Sequence, residues 1–225
     1  KIAAKYKAVR HREGIAWEEG GHTLERILDA DEVVKSPGIA KETPVMRAVA
    51  SKNIPVISEI EFAGRFASAR MVCITGSNGK TTTTLLIYHI LKQAGLDVGL
   101  AGNVGNSLAY QVARDPHKVY VIELSSFQLD DMHRFHANIA VILNITPDHL
   151  DRYDHKMENY VRAKFRILQN QTPADAFIFW KDDPVIAAQL KAIAVEARRY
   201  PFSEHAGDGV AAFVDEEDRL VALTP

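Results

Sequence analysis

The chain has 225 residues, 47% of them apolar, and a formal net charge of −2 from interspersed acids and bases. This length allows one large domain or one and a half smaller ones, and the charge balance excludes a basic stripe for nucleic acid or a polybasic membrane anchor. With a single cysteine (Cys73), no apolar run long enough to span a membrane and no signal-peptide core in Lys1–Lys5, we expect a cytoplasmic protein without disulfides.

The first part of the chain alternates helices and strands. The predicted elements are a helix near Thr23–Leu28, a strand at Glu32–Lys35, a turn at Ser36-Pro37-Gly38, a helix near Pro44–Lys52 and a strand at Ile54–Ile57. This order predicts a small Rossmann-like, doubly wound unit. We place the boundary near Phe66–Arg70, which divides the chain into an N-terminal domain (1–67) and a central domain (68–225).

The central domain begins with a strand, a glycine-rich turn and a helix. Met71–Ile74 is a short apolar run, Leu85–Leu91 is long enough for a helix, and the turn between them spans Gly76–Thr82. Glycines let backbone N–H groups surround phosphate oxygens, Lys80 supplies a cation, and the Thr81 hydroxyl can ligate Mg²⁺. The loop is two residues shorter than the common P-loop pattern. An ordinary strand-to-helix turn is the alternative, but the flanking strand and helix favour a nucleoside triphosphate site.

Further strands recur along the central domain. They are predicted at Val98–Leu100, Val119–Leu124, Ile139–Asn144 and Ala176–Trp180, with helical stretches between most of them, and Val210–Val214 with Leu220–Leu223 is predicted as an antiparallel hairpin. The fold class is therefore α/β, with a P-loop-type doubly wound and mainly parallel sheet.

Polar residues follow two of these strands, where ligands collect in open α/β sheets. Glu123 ends one strand and is placed to hold Mg²⁺ beside the phosphate loop, unless it pairs with a nearby base. His149 lies in a dense polar segment after the next strand. It is a candidate metal ligand, base or plain loop histidine, and the flanking Asp148 and Asp151 favour a site.

A lysine lies on the apolar stripe of the predicted helix Lys156–Asn170. The stripe is formed by Met157, Val161, Phe165 and Leu168, and Lys164 projects between them. Its amine either reaches water at the edge of the stripe or is desolvated and neutral. A neutral amine could react with CO₂, and the resulting carbamate would be an oxygen ligand for a hard metal ion. The turn Ala101–Ser107 is a weaker candidate for a second anion site.

Taken together, these motifs resemble the Mur ligases of peptidoglycan synthesis. The matching stretches are Thr75–Thr81, Gly102–Gly105, Glu123–Leu129, Asn144–Tyr153 and Ala163–Ile167. Ser125-Ser-Phe-Gln-Leu129 and Lys35-Ser-Pro-Gly-Ile39 are similar to the members that add D-glutamate. The resemblance implies an ATP-dependent amide ligase that is a monomer, with UDP-N-acetylmuramoyl-L-alanine and D-glutamate as substrates and an acyl phosphate as intermediate.

The resemblance also implies roles for individual residues. Gly76–Thr82 (Gly76, Ser77, Asn78, Gly79, Lys80, Thr81, Thr82) would bind ATP, and the catalytic residues would be Lys80, His149 and Lys164. Thr81 and Glu123 would hold one Mg²⁺, and His149 with carbamylated Lys164 a second. Ser36, Pro37, Gly38, Asn103, Ser125 and Gln128 would contact the nucleotide-sugar substrate.

The chain also departs from the family pattern. The family's first strand and glycine-rich loop look missing before Lys1, and the adenine contacts and the third domain that binds the amino acid look missing after Pro225. We therefore expect a fragment that does not ligate by itself. The alternatives are another Mur ligase or folylpolyglutamate synthetase, disfavoured by Ser125–Leu129, and a P-loop switch, disfavoured because no Asn-Lys-x-Asp segment is present.

Overall fold

The computed structural model describes residues 13–223, so the expectations placed on Lys1–Lys5 and on Pro225 lie outside the described residues. Within the described range, no helix is long and apolar enough to cross a membrane. The chain folds into two compact units. One extends to Val33 and includes Ile39–Val56, and the other comprises Val34–Gly38 and the chain from Ile57 onward. The division into domains 1–67 and 68–225 stays a prediction.

The predicted elements of the N-terminal part are present but short. Helices Leu24–Ile27 and Pro44–Ser51 accompany a two-stranded sheet of β1 (Val33–Val34) and β2 (Val56–Ile57). Pro44 occupies the first turn of its helix, where its missing N–H costs nothing. The chain leaves that helix through Asn53, which has a positive φ of 55°. This sheet of the described N-terminal part has two strands, whereas the sheet of the larger unit has eight.

The larger unit contains eight more strands. They are β3 (Arg70–Thr75), β4 (Val98–Gly102), β5 (Val119–Glu123), β6 (Ile139–Ile142), β7 (Ala176–Trp180), β8 (Arg198–Phe202), β9 (Ala212–Val214) and β10 (Leu220–Ala222). Its helices are Glu59–Gly64, the loop helix Lys80–Gln93, Leu108–Arg114, Ser126–Asp130, the lysine helix Met157–Phe165 and Pro184–Ala192, with 3₁₀ turns at Leu150–Arg152 and Arg166–Leu168.

The strand order of the eight-stranded sheet is β10-β9-β8-β7-β6-β3-β5-β4. All pairs from β4 to β9 are parallel, and β9 with β10 forms the predicted antiparallel hairpin. The chain runs from β3 outward to β4, returns to β5, and then places β6 on the other side of β3. The carboxyl end of β3 is therefore the topological switch point, where such sheets bind ligands. This confirms the predicted fold class.

Both faces of the central strand are buried, which explains its continuous apolar sequence. Met71 and Cys73 belong to the larger core cluster on one face, whereas Val72 and Ile74 belong to a second cluster on the other. Cys73 is fully buried and unbridged, and burial raises the pKa of its thiol. Cys73 therefore packs as a small residue of the core.

One predicted helix was too long, and one strand was missed. The helix predicted over Lys156–Asn170 ends at Phe165 and continues as a 3₁₀ turn. Next to this turn, Arg166 and Gln169 donate side-chain N–H groups to the carbonyls of Leu129 and Met132. Strand β8 was not predicted from the sequence, and it contains Pro201. That proline is tolerated because β8 pairs with β9 at only one position.

A buried carboxylate ties the helix Glu59–Gly64 to the segment before β6. Glu61 is fully buried, and its carboxylate accepts N–H groups from His133, Arg134 and Phe135. Burial alone would raise the pKa of Glu61, but these hydrogen bonds lower it below its ordinary value. Its stabilising effect is therefore complete above the unfolded-state pKa and is lost as the pH falls through the lower folded-state value.

We expect Glu61→Gln to destabilise the protein by about 1–3 kcal/mol at pH 7, since an amide cannot accept three N–H groups as a carboxylate does. Thermal unfolding from pH 7 down to about pH 3 should show the difference from wild type shrinking as Glu61 itself becomes protonated. Glu158→Gln, at an exposed position, is the control and should leave the melting temperature unchanged. A difference in melting temperature between variant and wild type that stays constant over this pH range would contradict the stabilising role of the Glu61 carboxylate.

Candidate active site

The predicted phosphate loop, Gly76–Thr82, follows β3 at the switch point and includes the first turn of the loop helix. Gly79 is the N-cap of the helix and has a left-handed φ of 79°, which glycine adopts without a side-chain penalty. N–H groups in the first turn of a helix have no carbonyl partner within that helix, and they carry its partial positive charge. The loop thus presents donors suited to an anion.

The loop is braced by the segment that follows β6. The Ser77 N–H donates to the Asn144 carbonyl at 2.9 Å, and the Asn78 N–H donates to Asn144 Oδ1 at 2.8 Å. The Ser77 hydroxyl donates to the Thr146 carbonyl and accepts the Thr146 N–H, both at 2.9 Å. Ser77 and Asn78 therefore use their N–H groups to shape the loop. The amides of Gly79, Lys80 and Thr81 remain the better placed candidates for phosphate oxygens.

Two lysines converge on one carbonyl of the loop. Lys80 Nζ donates to Gly76 O at 2.9 Å and to Ser77 O at 3.0 Å, while Lys164 Nζ donates to Gly76 O at 2.7 Å. The structure thus brings these two predicted catalytic residues together although they are far apart in sequence. Two ammonium groups on one oxygen would repel each other, which favours the neutral form of the more buried one, Lys164.

The side chain of Lys164, on the lysine helix, is buried, and its amine does not reach water at the edge of the apolar stripe. Only 1% of the residue is exposed, and its Nζ lies 4.6 Å from the centre of the Tyr160 ring. Burial first, and the charge of Lys80 second, lower the pKa of the Lys164 amine to about 7, while Asp148 opposes the shift. The desolvated interpretation of this residue is confirmed. Its carbamylation and metal role stay predictions.

Glu123 lies at the end of β5, next to both the phosphate loop and the turn after β4. It is the register partner of Ile74 on one side and of Gly102 on the other. Its Oε1 accepts the side-chain N–H of Asn103 at 2.8 Å, and its backbone carbonyl accepts the Asn103 N–H at 2.9 Å. A Cβ on Gly102 would meet the Glu123 carbonyl oxygen at 2.1 Å, so only glycine permits this approach.

One oxygen of this carboxylate suits a cation. Glu123 is 1% exposed, and its Oε2 is buried with no hydrogen-bond partner among the residues described. An unpaired buried carboxylate oxygen is costly, and a cation would relieve that cost. Over residues 13–223 no three His, Cys, Asp or Glu side chains lie close enough to hold a metal by themselves. Mg²⁺ fits such a site, because it takes one or two carboxylates and completes its shell with phosphate and water.

The other predicted metal ligands are more open. Thr81 is exposed in the first turn of the loop helix. The His149 side chain is 58% exposed, and its Nε2 lies 3.5 Å from Asp148 Oδ2. The His149 ring packs 5.4 Å from that of Phe127, which stacks at 5.9 Å on Tyr153. His149 therefore packs against the segment that follows β5, and its metal role stays a prediction.

The predicted substrate residues have local structural partners. Ser125 and Gln128 form a reciprocal capping box at the start of the helix Ser126–Asp130: the Ser125 hydroxyl accepts the Gln128 N–H, and Gln128 Oε1 accepts the Ser125 N–H. Ser36 and Gly38 are exposed in the turn after β1, and Pro37 is half-buried. The capping explains why serine and glutamine occur at this spacing, while substrate contact stays a prediction.

Sequence reasoning missed several residues that hold the site together. Tyr160 places its hydroxyl 3.1 Å from the Ser77 hydroxyl and its ring under the Lys164 amine. Tyr160 and Lys164 are four residues apart on a helix, a spacing that puts both on one face and could have identified the pair. Asn144 and Thr146 gave no such signal, because their role depends on β6 lying beside β3.

A cavity of about 590 Å³ opens beside the phosphate loop. Its polar side is formed by Asn78, Gly79 and Thr83, and its apolar side includes Trp180, Phe202 and Phe213 from strands β7 to β9. Apolar walls with a few polar groups at one end are typical of sites for small organic ligands.

Comparison with sequence families gives a match to the Mur ligase middle domain over residues 74–223. The UDP-N-acetylmuramoylalanine--D-glutamate ligase of Bacteroides fragilis is 61% identical over 220 residues, which are 98% of this chain and 50% of that protein. The ligase of the same name from Porphyromonas gingivalis is 58% identical over 99% of this chain and 50% of its own length. The chain therefore spans about half the length of these curated relatives.

Solved structures share the fold at low identity. A UDP-N-acetylmuramate:L-alanyl-gamma-D-glutamyl-meso-diaminopimelate ligase from Neisseria meningitides has a TM-score of 0.63 and 16% identity, covering 99% of this chain and 74% of its own. A MurF ligase from Thermotoga maritima in complex with ADP has a TM-score of 0.52 and 17% identity, covering 82% and 52%. At these identities the similarity establishes the fold alone.

Proposed function

The chain belongs to the Mur ligase family, and on this premise we propose that it forms the phosphate- and metal-binding part of an ATP-dependent ligase that adds D-glutamate to UDP-N-acetylmuramoyl-L-alanine. The names of relatives that are 58–61% identical support this reaction over that of other Mur ligases, of folylpolyglutamate synthetase or of a P-loop switch. Such a protein works on cytoplasmic nucleotides in peptidoglycan precursor synthesis.

One observation carries the chemical part of the proposal: Lys80 and Lys164 meet on the carbonyl of Gly76, which directly follows β3, and the neighbouring strand β5 ends in Glu123, whose Oε2 has no hydrogen-bond partner among the described residues. The Lys80 ammonium and the unpaired Glu123 oxygen at the switch point suit a metal-bound polyphosphate, which brings negative charge to Lys80 and a cation to Glu123, while Lys164 beside them is the amine that would carry the carbamate. Phosphoryl transfer is accelerated mainly by this kind of positioning and charge neutralisation.

In this proposal the carboxylate of UDP-N-acetylmuramoyl-L-alanine attacks the γ-phosphorus of ATP, which gives an acyl phosphate and ADP. The amine of D-glutamate then attacks the acyl carbon, and inorganic phosphate and a proton leave as the amide forms. Lys80 neutralises charge on the transferring group, and the amides at the start of the loop helix orient its oxygens. Carboxylate becomes a good electrophile only after phosphorylation.

The remaining site residues would hold Mg²⁺ or contact the nucleotide-sugar substrate. Glu123 and Thr81 would hold one Mg²⁺, and His149 and carbamylated Lys164 a second. When bound, Mg²⁺ neutralises phosphate charge. Asn103 holds the Glu123 carboxylate in place through the 2.8 Å hydrogen bond. Ser36, Pro37, Gly38, Asn103, Ser125 and Gln128 would face the nucleotide-sugar substrate.

The cavity beside the loop supports a site for the nucleoside part of ATP. Its walls include the phosphate-loop residues Asn78 and Gly79, and its apolar side carries the aromatic rings of Trp180 and Phe202. A purine base has two apolar faces, so it suits an aromatic-lined cavity that continues from the phosphate site.

ADP release by the full-length protein that contains this chain tests the function. With UDP-N-acetylmuramoyl-L-alanine and ATP present, we expect D-glutamate to start turnover and L-glutamate or L-alanine to leave it at background. Residues 1–225 alone should release no ADP above background. Turnover with another amino acid in place of D-glutamate would contradict the substrate assignment.

A further inference from the structure

A buried ion pair lies apart from the phosphate loop, and the proposed mechanism does not use it. Lys35 Nζ is 2.8 Å from Asp131 Oδ2, and the two side chains are 3% and 8% exposed. Desolvation of two charges is unfavourable, and an apolar pair of similar volume would hold a fold as well or better. The contribution of the pair therefore lies in the segments that it joins.

Asp131 links three segments of the larger unit. Its carboxylate binds Lys35, which directly precedes the turn Ser36–Gly38. Its backbone carbonyl accepts the Ser58 N–H at 2.7 Å, just after β2. It is also the C-cap of the helix Ser126–Asp130, whose capping box contains Ser125 and Gln128. One residue thus fixes the position of the turn relative to that helix.

We propose that the Lys35–Asp131 pair positions the nucleotide-sugar substrate by holding the turn Ser36–Gly38 in register with the helix Ser126–Asp130. This inference rests on the proposed function, which assigns substrate contacts to both segments. An ammonium–carboxylate bond fixes distance and direction, whereas an apolar pair allows the two segments to slide. Because the turn and the helix both lie on the substrate side and away from the transferring phosphoryl group in this proposal, a small displacement between them should weaken substrate binding more than the chemical step.

The test is the effect of Lys35 variants on the full-length protein. Lys35→Met should raise the KM for UDP-N-acetylmuramoyl-L-alanine about tenfold or more, with the KM for ATP and kcat within about twofold of wild type. Lys35→Arg retains a cation and should restore the KM. Because Lys35→Met leaves a buried, unpaired Asp131, the double variant Lys35→Met/Asp131→Leu is included. It removes both charges and should show the same KM increase in a folded protein.

Arg65→Met is the matched control. It removes the cation 3.4 Å from another buried carboxylate, Glu61, and should leave the KM for the nucleotide-sugar unchanged. Equal increases in both substrate KM values, an unchanged KM in the double variant, or a similar effect of Arg65→Met would overturn the positioning role. Titration with UDP-N-acetylmuramoyl-L-alanine alone gives the Kd of each variant. A wild type that binds this substrate but does not turn over would therefore refute the proposed function without deciding against the ion pair.

Discussion

Lys80→Met in the full-length protein is expected to lower kcat about 10²–10³-fold, with a smaller change in the KM for ATP. The Lys80 amine is already held over the loop by the carbonyls of Gly76 and Ser77. It is therefore preorganised to meet charge that develops on the transferring phosphoryl group. Methionine keeps most of the side-chain length and removes the amine, with its charge and its hydrogen bonds to the loop. Steady-state ADP release and a separate titration with ATP distinguish the loss of catalysis from the loss of binding.

Lys92→Met is the control for this experiment. Lys92 lies near the other end of the same loop helix, and its exposed amine donates to the Tyr88 hydroxyl. It shares the helix and the charge of Lys80 without its place at the phosphate loop, so its kcat should stay within about twofold of wild type. A Lys80→Met variant that keeps more than a tenth of wild-type kcat would refute the catalytic assignment.

Lys164 is expected to carry a CO₂ adduct. Lys164→Arg should lose this adduct, and its kcat should be lower than that of wild type by about 10²-fold or more. The neutral amine adds to the carbon of CO₂ and loses a proton, which leaves an N–H and a carboxylate. Arginine keeps a cation at this position but cannot form the adduct, so its activity separates a role of positive charge from a role of the carbamate. With ¹³C-bicarbonate, NMR should show one slowly exchanging carbamate signal in wild type.

The pH dependence of that signal follows from the environment of the amine. Since burial and Lys80 lower its pKa to about 7, the neutral fraction and the adduct should increase as the pH rises through that value. Lys156→Met, at the exposed N-cap of the same helix, should leave the signal intact. An absent signal in wild type at about pH 8 under saturating bicarbonate, or near-normal turnover by Lys164→Arg, would exclude the carbamate.

The local elements of this site follow from sequence patterns. Met71–Ile74, Gly76–Thr82 and the apolar stretch after them predict strand, phosphate loop and helix, because each pattern depends on neighbours in the chain. The burial of Lys164 was one of two alternatives from helical periodicity, and the structure decides for it. Strand β8 and the early end of the lysine helix escaped prediction, because Pro201 and Arg166 are explained only by contacts with distant segments.

By itself, the sequence determined which residue types were available for the chemistry and on which elements they lie. Only the tertiary structure decided which of them meet. The placement of β6 and β5 on either side of β3 brings Asn144 against the phosphate loop and Glu123 beside it, and it lets Lys164 reach the carbonyl that also holds Lys80. Periodicity reports the face of an element but not its neighbour. That neighbour is fixed by strand order, which depends on the packing of the whole sheet.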